Sequence, residues 1–356
     1  MNRDLYLRLA ATGLRMPIGT DLVLHEQPDP EAVMRDGRRL GEVMRVAAER
    51  YATPIAMPLM DLRIDKADLL SHLGIGEQEA DTFHFVEPPD EGAVEKVRAA
   101  RHAPFSERNQ AHIDSIRHVA RESDLLSVGM AIGPFSLTTK LMADPISAVA
   151  LAGMGVTVGE DPHVAMLERC HAMAEATVAR SLEAQIRAGA RAVLICEPAA
   201  NLVYISPKHM EAGSDSFERL VIQPALRIRR QLEEAGVDLI FHDCGELTRD
   251  MVRQFGERIE PAILSLGGSR KLWEDAGVVP DHVVMFGNLP TKSFYSDAAM
   301  SPEKVESLTL ELVGKMRETG HAFILGSECD VLNVPEASET IRHKVDIMLR
   351  CGREVV

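Results

Sequence analysis

Eight short apolar runs, separated by segments of helical periodicity, constrain the fold of this chain more than any other feature. The runs occupy residues 54–60, 83–86, 126–132, 192–196, 238–242, 262–266, 282–286 and 322–326. Their apolar residues are nearly continuous, which is typical of strands buried on both faces of a parallel sheet. Strands that alternate with helices favour an α/β fold, a closed (β/α)8 TIM barrel, with a doubly wound open sheet as the alternative.

Several of the intervening segments carry clear helix boundaries. Residues 163–188 have apolar residues at helical spacing and end before Gly189. A second helix is predicted over 216–235, a third begins at 301–303 with proline in its first turn, and a last one begins near Pro335. Proline at the start and glycine after the end of a helix are the usual boundary signals.

The length of 356 residues suits one such barrel with additions, since TIM barrels typically run to ~250 residues and grow by insertion. Two domains are possible from length alone. We expect a single domain over 1–356, with residues 1–50 as an N-terminal helical extension. The polar region 87–115 is the candidate insertion or lid, with a plain surface connection as the alternative. Neither a G-x-G-x-x-G segment after an early strand nor a Walker A sequence is present, so a nucleotide fold has no support.

Charge and cysteine content narrow the class of protein. The net charge of -15 repels phosphate backbones and anionic membranes, so nucleic acid and membranes are not expected partners. No stretch approaches the ~18 consecutive apolar residues of a membrane span, and the first residues lack a secretory signal. These features predict a cytoplasmic protein. Its five cysteines are then reduced, and those with a function are more often metal ligands or catalysts than disulfides.

The apolar run 238–242 ends in His242-Asp243-Cys244-Gly245, an H-x-C-G sequence. Side chains two residues apart in a strand point to the same face. His242 and Cys244 can therefore point together into the mouth of a barrel, and Gly245 gives the backbone room to turn.

Cys329 follows the last apolar run, in the segment 322–330. The active-site residues of these barrels collect at the carboxyl ends of the strands, so His242, Cys244 and Cys329 are expected in one place. One nitrogen and two thiolates are a zinc-type ligand set. The alternative for each residue alone is a buried histidine or an inert thiol.

Glu197 follows Cys196 at the end of the run 192–196. Its carboxylate is a candidate fourth, displaceable ligand or a group that orients another ligand. Cys196 is more simply a strand-core residue. Asp243 alternates with His242 along the strand, which disfavours a role in orienting that histidine.

Together with two further landmarks, the H-x-C…C set resembles the uroporphyrinogen decarboxylase superfamily. The landmarks are Gly133-Pro134-Phe135-Ser136-Leu137 and Gly287-Asn288-Leu289, and the resemblance runs over most of the chain after about residue 30. Within the superfamily the H-x-C…C set is the signature of the cobamide-dependent methyltransferases, where it binds zinc. The resemblance therefore implies a zinc site at His242, Cys244 and Cys329.

The resemblance also implies a reaction. Such enzymes move a methyl group between a corrinoid cobalt and a small molecule, the methyl donor or acceptor. The sequence GSECDVLNVP around Cys329 is more similar to bacterial O-demethylase methyltransferases than to coenzyme M methyltransferases, so a methyl ether is favoured and a thiol is the alternative. Glu197 and Asp61, both at strand ends, are the candidate catalytic acid/base residues.

The corrinoid is expected on a separate partner protein, because the D-x-H-x-x-G pattern of cobalamin-binding domains is absent from the sequence. Two further alternatives are a decarboxylase-like enzyme and a non-catalytic zinc-binding barrel. The Arg-rich N-terminal substrate segment of the decarboxylase is not evident, since Leu14-Arg15-Met16-Pro17 leads into an apolar and acidic stretch.

Overall fold

Seven parallel strands form the central sheet, and each strand pairs with the one next to it in sequence. The computed structural model describes residues 1–353. The strands are β1 Ile55–Ala56, β2 Leu126–Ile132, β3 Ala192–Cys196, β4 Asp238–Asp243, β5 Ile263–Leu266, β6 Val284–Leu289 and β7 Phe323–Ser327. A doubly wound sheet would reverse this order at its switch point. The uninterrupted order confirms the expected (β/α)8 barrel.

The segment 15–18 occupies the eighth position of the barrel, between β7 and β1. Arg15 pairs with Leu325 of β7 as a parallel bridge, and the Ile18 carbonyl accepts a hydrogen bond from the Val331 backbone at 2.7 Å. On the other side, the Thr53 hydroxyl lies 3.3 Å from the Met16 sulfur, next to β1. Segment 15–18 therefore closes the barrel between its last strand, β7, and its first strand, β1.

The predicted barrel strand at residues 83–86 is wrong. Phe85 forms an isolated bridge with Met142, and its ring stacks edge-on against Phe83 at a centroid distance of 5.0 Å. Both rings pack against the layer of helices outside the sheet, while Val86 is 80% exposed. A short apolar run has the same sequence pattern whether it packs against helices or forms a strand of a sheet. Residues 83–86 therefore resembled a strand in the sequence.

Helices surround the sheet and fill the connections between strands. They are α1 Arg3–Ala11, α2 Thr20–Leu24, α3 Pro30–Met34, α4 Gly37–Arg50, α5 Ile64–His72, α6 Glu77–Ala80, α7 Glu91–Ala99, α8 Glu107–Glu122, α9 Pro134–Leu141, α10 Pro145–Gly153, α11 Pro162–Ala188, α12 Pro207–Glu211, α13 Gln223–Glu234, α14 Arg249–Gln254, α15 Leu272–Asp275, α16 Pro302–Thr319 and α17 Ser338–Arg350. No helix among residues 1–353 is both long and apolar enough to span a membrane.

The predicted helix boundaries are confirmed where capping residues mark them. The Asp161 side chain accepts a hydrogen bond from the His163 backbone at the start of α11, and Gly189 ends that helix with φ 103°. Ser301 caps α16 in the same way, and Gly320 ends it with φ 69°. Side-chain caps satisfy backbone N–H groups that have no partner within the helix, and glycine adopts the left-handed conformation without strain.

The barrel strands divide their side chains between two apolar cores. On β3, Leu194 and Cys196 belong to the core inside the barrel, whereas Val193 and Ile195 pack against the outer helices. This alternation follows from the two-residue repeat of a strand. It also decides which residues at the strand ends can reach the barrel mouth.

Four helices, α1 to α4, lie within residues 1–50, and the closing segment 15–18 separates the first from the other three. The region 87–115 contains α7 and the first nine residues of α8. A lid function for this region stays a prediction.

Candidate metal centre

The structure brings His242, Cys244 and Cys329 together at the mouth of the barrel. His242 lies near the end of β4, Cys244 directly follows that strand, and Cys329 lies two residues beyond β7. One ligand atom from each, a histidine nitrogen and two thiol sulfurs, lie within 4.8 Å of one another. A tetrahedral zinc with bonds of about 2.0–2.3 Å separates its ligand atoms by roughly 3.5–3.8 Å, so a small contraction would complete the site.

The His242 ring is already oriented for a metal. Its Nδ1 lies 2.8 Å from the Ser265 hydroxyl, and the two residues are paired in register on β4 and β5. Its Nε2 is buried and has no hydrogen-bond partner among the described residues. A buried nitrogen without a partner is costly unless something binds it. A metal ion at Nε2 would satisfy it.

Each of the two thiols shifts the pKa of the other. A hydrogen bond from the Cys329 thiol lowers the pKa of Cys244 to about 4, against the opposing effect of burial. The same contact, together with burial, raises the pKa of Cys329. Although burial opposes it, the charge of the pair raises the pKa of the nearby Lys292. A divalent cation would replace the proton of the Cys329 thiol and hold both sulfurs as thiolates.

The loops after β5 and β6 hold the loop that carries Cys329 in place. The Glu328 carboxylate, next to Cys329, accepts hydrogen bonds from the backbone of Gly268 at 3.1 Å and Lys292 at 3.3 Å. The Asn288 amide donates to the Gly267 carbonyl at 2.7 Å. Sequence reasoning missed Ser265, Glu328 and Lys292. The Gly287-Asn288-Leu289 landmark was a signal, because Asn288 fixes the loop after β5.

The carboxylate of Glu197 lies away from this group. It accepts hydrogen bonds from the backbone N–H of Phe135 at 3.3 Å and Ser136 at 2.5 Å, at the start of α9. Burial raises the pKa of Glu197 to about 7. The structure therefore does not bring Glu197 together with the metal ligands, and its role in proton transfer stays a prediction.

Asp61 follows β1 and is held by two arginines. Its carboxylate accepts hydrogen bonds from Arg63 at 2.8 Å and Arg108 at 2.7 Å. Although burial opposes ionisation, these contacts lower the pKa of Asp61. The carboxylate is thus anionic at neutral pH, which suits a base or a binding group better than an acid.

Cys196 and Asp243 flank the group without joining it. Cys196 pairs in register with His242 and is fully buried inside the barrel, and burial raises the pKa of its thiol. The Asp243 carboxylate accepts a hydrogen bond from the Gly245 backbone at 2.8 Å, so it shapes the turn after β4. As its alternate position on the strand predicts, its carboxylate makes no hydrogen bond to the His242 ring in the described part of the chain.

The fold and the site together define a (β/α)8 barrel with a His-Cys-Cys candidate metal centre at its carboxyl-terminal mouth. A family model described as uroporphyrinogen decarboxylase (URO-D) matches residues 28–348. The chain therefore belongs to the uroporphyrinogen decarboxylase family.

Comparison with individual proteins adds a structural likeness. No curated protein sequence matches the chain. Among solved structures, a methyltransferase from Methanosarcina mazei superimposes with a TM-score of 0.67 at 16% sequence identity, over 96% of this chain and 97% of that chain. At this identity the likeness shows the shared fold.

Proposed function

We propose that this chain is a zinc-dependent methyltransferase that moves a methyl group between a small substrate and the cobalt of a corrinoid protein. The observation that carries the proposal is the grouping of two thiols with the unpartnered Nε2 of His242. The likeness to a solved structure named methyltransferase supports it, as does the H-x-C…C signature itself.

The number of ligands supports an enzyme rather than a structural zinc barrel. Within residues 1–353, no fourth histidine, cysteine, aspartate or glutamate joins the group of three. Structural zinc sites are closed by four protein ligands, whereas catalytic sites keep one position for an exchangeable ligand. The open position is where a substrate would bind.

Each residue of the site has a distinct task in this proposal. His242, Cys244 and Cys329 would hold a zinc ion, which acts as a Lewis acid on a substrate oxygen or as a carrier of a substrate thiolate. Ser265 orients the His242 ring through Nδ1. Lys292 adds a positive charge beside the thiols, which favours their ionised form.

The favoured substrate is a methyl ether, and the alternative is a thiol of the coenzyme M type. The preference comes from the sequence around Cys329. A porphyrinogen is disfavoured because the Arg-rich N-terminal substrate segment of the decarboxylase is not evident in the sequence.

The first experiment is the metal content of the protein purified without chelators. We expect about one zinc per chain, lost in Cys244→Ser and in Cys329→Ser. Cys351→Ser is the matched control, because Cys351 lies at the end of α17, outside the ligand group, and should keep the metal. Wild-type protein without metal would refute the proposal.

Methyl transfer itself is followed with free cob(I)alamin, whose absorption changes when the cobalt is methylated. Methylation by a panel of methyl ethers would support O-demethylation. Demethylation of methylcobalamin by a thiol, with no reaction of the ethers, would support the alternative direction. If the zinc-loaded protein catalyses neither of these reactions, the methyltransferase assignment is contradicted.

The corrinoid is proposed to arrive on a partner protein that docks at the barrel mouth. Exposed large apolar side chains lie on the connections that follow β2, β3, β6 and β7, and we call this set the rim. It consists of Ile146, Met154, Val158, Val203, Tyr295 and Leu332. Exposed apolar side chains supply the surface on which a partner can dock. Capture of a corrinoid protein from a cell extract supports this partner, whereas cobalamin that copurifies tightly with this chain alone would count against it.

A further inference from the structure

The segment 265–268, at the end of β5, contacts His242, Cys244 and Glu328, the neighbour of Cys329, although it supplies no candidate ligand itself. Its first contact is the hydrogen bond between the Ser265 hydroxyl and His242 Nδ1. If a metal occupies Nε2, the proton of the neutral ring must lie on Nδ1, and the Ser265 oxygen then accepts it. In that state the Ser265 hydroxyl holds the ring in the tautomer that leaves Nε2 free for the metal.

The second contact is a close approach of Gly267 to Cys244. A Cβ atom at Gly267 would lie 2.6 Å from the Cys244 carbonyl oxygen and 2.7 Å from its Cα. No side chain fits in that space, so glycine allows the two backbones to touch. Asn288 fixes Gly267 by donating a hydrogen bond to its carbonyl. The position of Cys244 is thus set by the loop after β5.

The third contact reaches Cys329 through its neighbour. The Gly268 backbone donates a hydrogen bond to the carboxylate of Glu328, which is buried and directly precedes Cys329. A Cβ atom at Gly268 would lie 2.6 Å from that carboxylate. The second oxygen of Glu328 accepts from the Lys292 backbone, so the carboxylate ties the loop after β7 to the loops after β5 and β6.

From these three contacts we infer that residues 265–268 are a positioning template for the metal site. The segment fixes the ring of His242 directly, the backbone of Cys244 by contact, and the loop of Cys329 through Glu328. The three candidate ligands belong to the ends of β4 and β7, and the end of β5 with its following loop contacts two of them and the neighbour of the third. This inference rests on the proposed metal site and assigns to it residues that do not bind the metal.

The test measures metal affinity and geometry in Ser265→Ala and Glu328→Gln. Loss of a group that orients a metal ligand typically weakens metal binding about 10- to 100-fold, so we expect a drop of that size in zinc affinity, measured by competition with a chelator. The thiolate and ligand-field bands of the cobalt(II)-substituted protein should shift as well. Ser265→Thr keeps the hydroxyl and should restore both.

Ser127→Ala is the matched control, because Ser127 is a buried barrel serine whose hydroxyl bonds the Gly189 carbonyl instead. It should leave zinc affinity and the cobalt spectrum unchanged. If wild-type protein binds no zinc, the proposed function fails. If wild-type protein binds zinc and Ser265→Ala and Glu328→Gln bind it with the same affinity and spectrum, the template inference alone is overturned.

Discussion

Glu197 illustrates how the position of one residue along a strand decides what its side chain can do. Its neighbour Cys196 points into the barrel, so Glu197 points to the outer layer, where the backbone of α9 receives its carboxylate. A carboxylate at a helix start stabilises the unpaired N–H groups there. The strand end alone suggested a catalytic residue, whereas the strand alternation would have predicted the outward direction.

The buried position of Glu197 predicts a pH-dependent stability. Its pKa is raised to about 7 in the folded protein, from 4.5 for the free side chain. Between these two values the folded state keeps a proton that the unfolded chain releases, so this group lowers the stability as pH rises through that window. Glu197→Gln cannot titrate. Relative to the variant, wild-type protein should lose on the order of 3 kcal/mol between pH 4.5 and 8.

Urea unfolding of both proteins at several pH values measures this difference. Glu306→Gln, at an exposed position on α16, is the control and should follow the wild-type profile. Parallel stability profiles for Glu197→Gln and wild-type protein would contradict the prediction.

The grouping of the three candidate metal ligands could be predicted from sequence because their spacing and their strand ends are both visible there. His242 and Cys244 share a strand face, and Cys329 ends another strand of the same barrel. Ser265 could not be predicted, since a serine near a strand end is common and its partner depends on the register of β4 against β5. Residues that act through tertiary contacts leave no local pattern.

At the scale of elements, the closing segment 15–18 departs most from what the sequence pattern suggested. It has too few residues and too little regular pairing to resemble a strand, yet Met16 and Ile18 belong to the core inside the barrel. The helices followed the sequence more closely, because caps such as Asp161 and Gly189 act locally. Closure of the barrel depends on contacts between residues far apart in the sequence. In the sequence, residues 83–86 therefore resembled the eighth strand more than segment 15–18, which fills the eighth position in the structure.

The closing segment predicts a large effect of truncating Ile18. Its side chain is 1% exposed and lies in the barrel core. Ile18→Ala removes apolar contacts and leaves a cavity, which should lower the free energy of unfolding by about 2–5 kcal/mol. Ile146→Ala is the matched control: Ile146 is 50% exposed on α10, and its truncation should change stability by less than about 0.5 kcal/mol. Equal effects of the two changes in chemical denaturation would show that the segment does not support the barrel.

At the scale of the whole molecule, three side chains of the rim closely follow strand ends. Val203, Tyr295 and Leu332 lie within seven residues after β3, β6 and β7. The candidate metal ligands also lie at or just after strand ends, where the active sites of such barrels are found. With a net charge of -15, the chain as a whole is strongly anionic. We therefore propose that a partner carrying a large cofactor approaches from the carboxyl ends of the strands.

The rim predicts separate effects on protein-bound and free corrinoid. Val203→Asp and Leu332→Asp place charges on side chains that are 56% and 62% exposed. We expect the KM for the corrinoid protein to rise roughly tenfold, with the rate on free cobalamin unchanged. Leu310→Asp on α16, away from the rim, should alter neither value. A loss of activity with free cobalamin would instead point to damage of the site itself.

The closing segment also sets the order of events during synthesis. The backbone N–H of Ile18 donates to the hydroxyl of Ser327, 309 residues further along the chain. At a synthesis rate of ~5–20 residues per second, the closing segment is synthesised roughly 15–60 seconds before its neighbour on β7. The nascent barrel therefore stays open for most of its translation, with the β1 edge and the apolar residues of segment 15–18 unpaired. Closure of the ring, and with it the meeting of Cys244 with Cys329, has to wait until β7 has been synthesised.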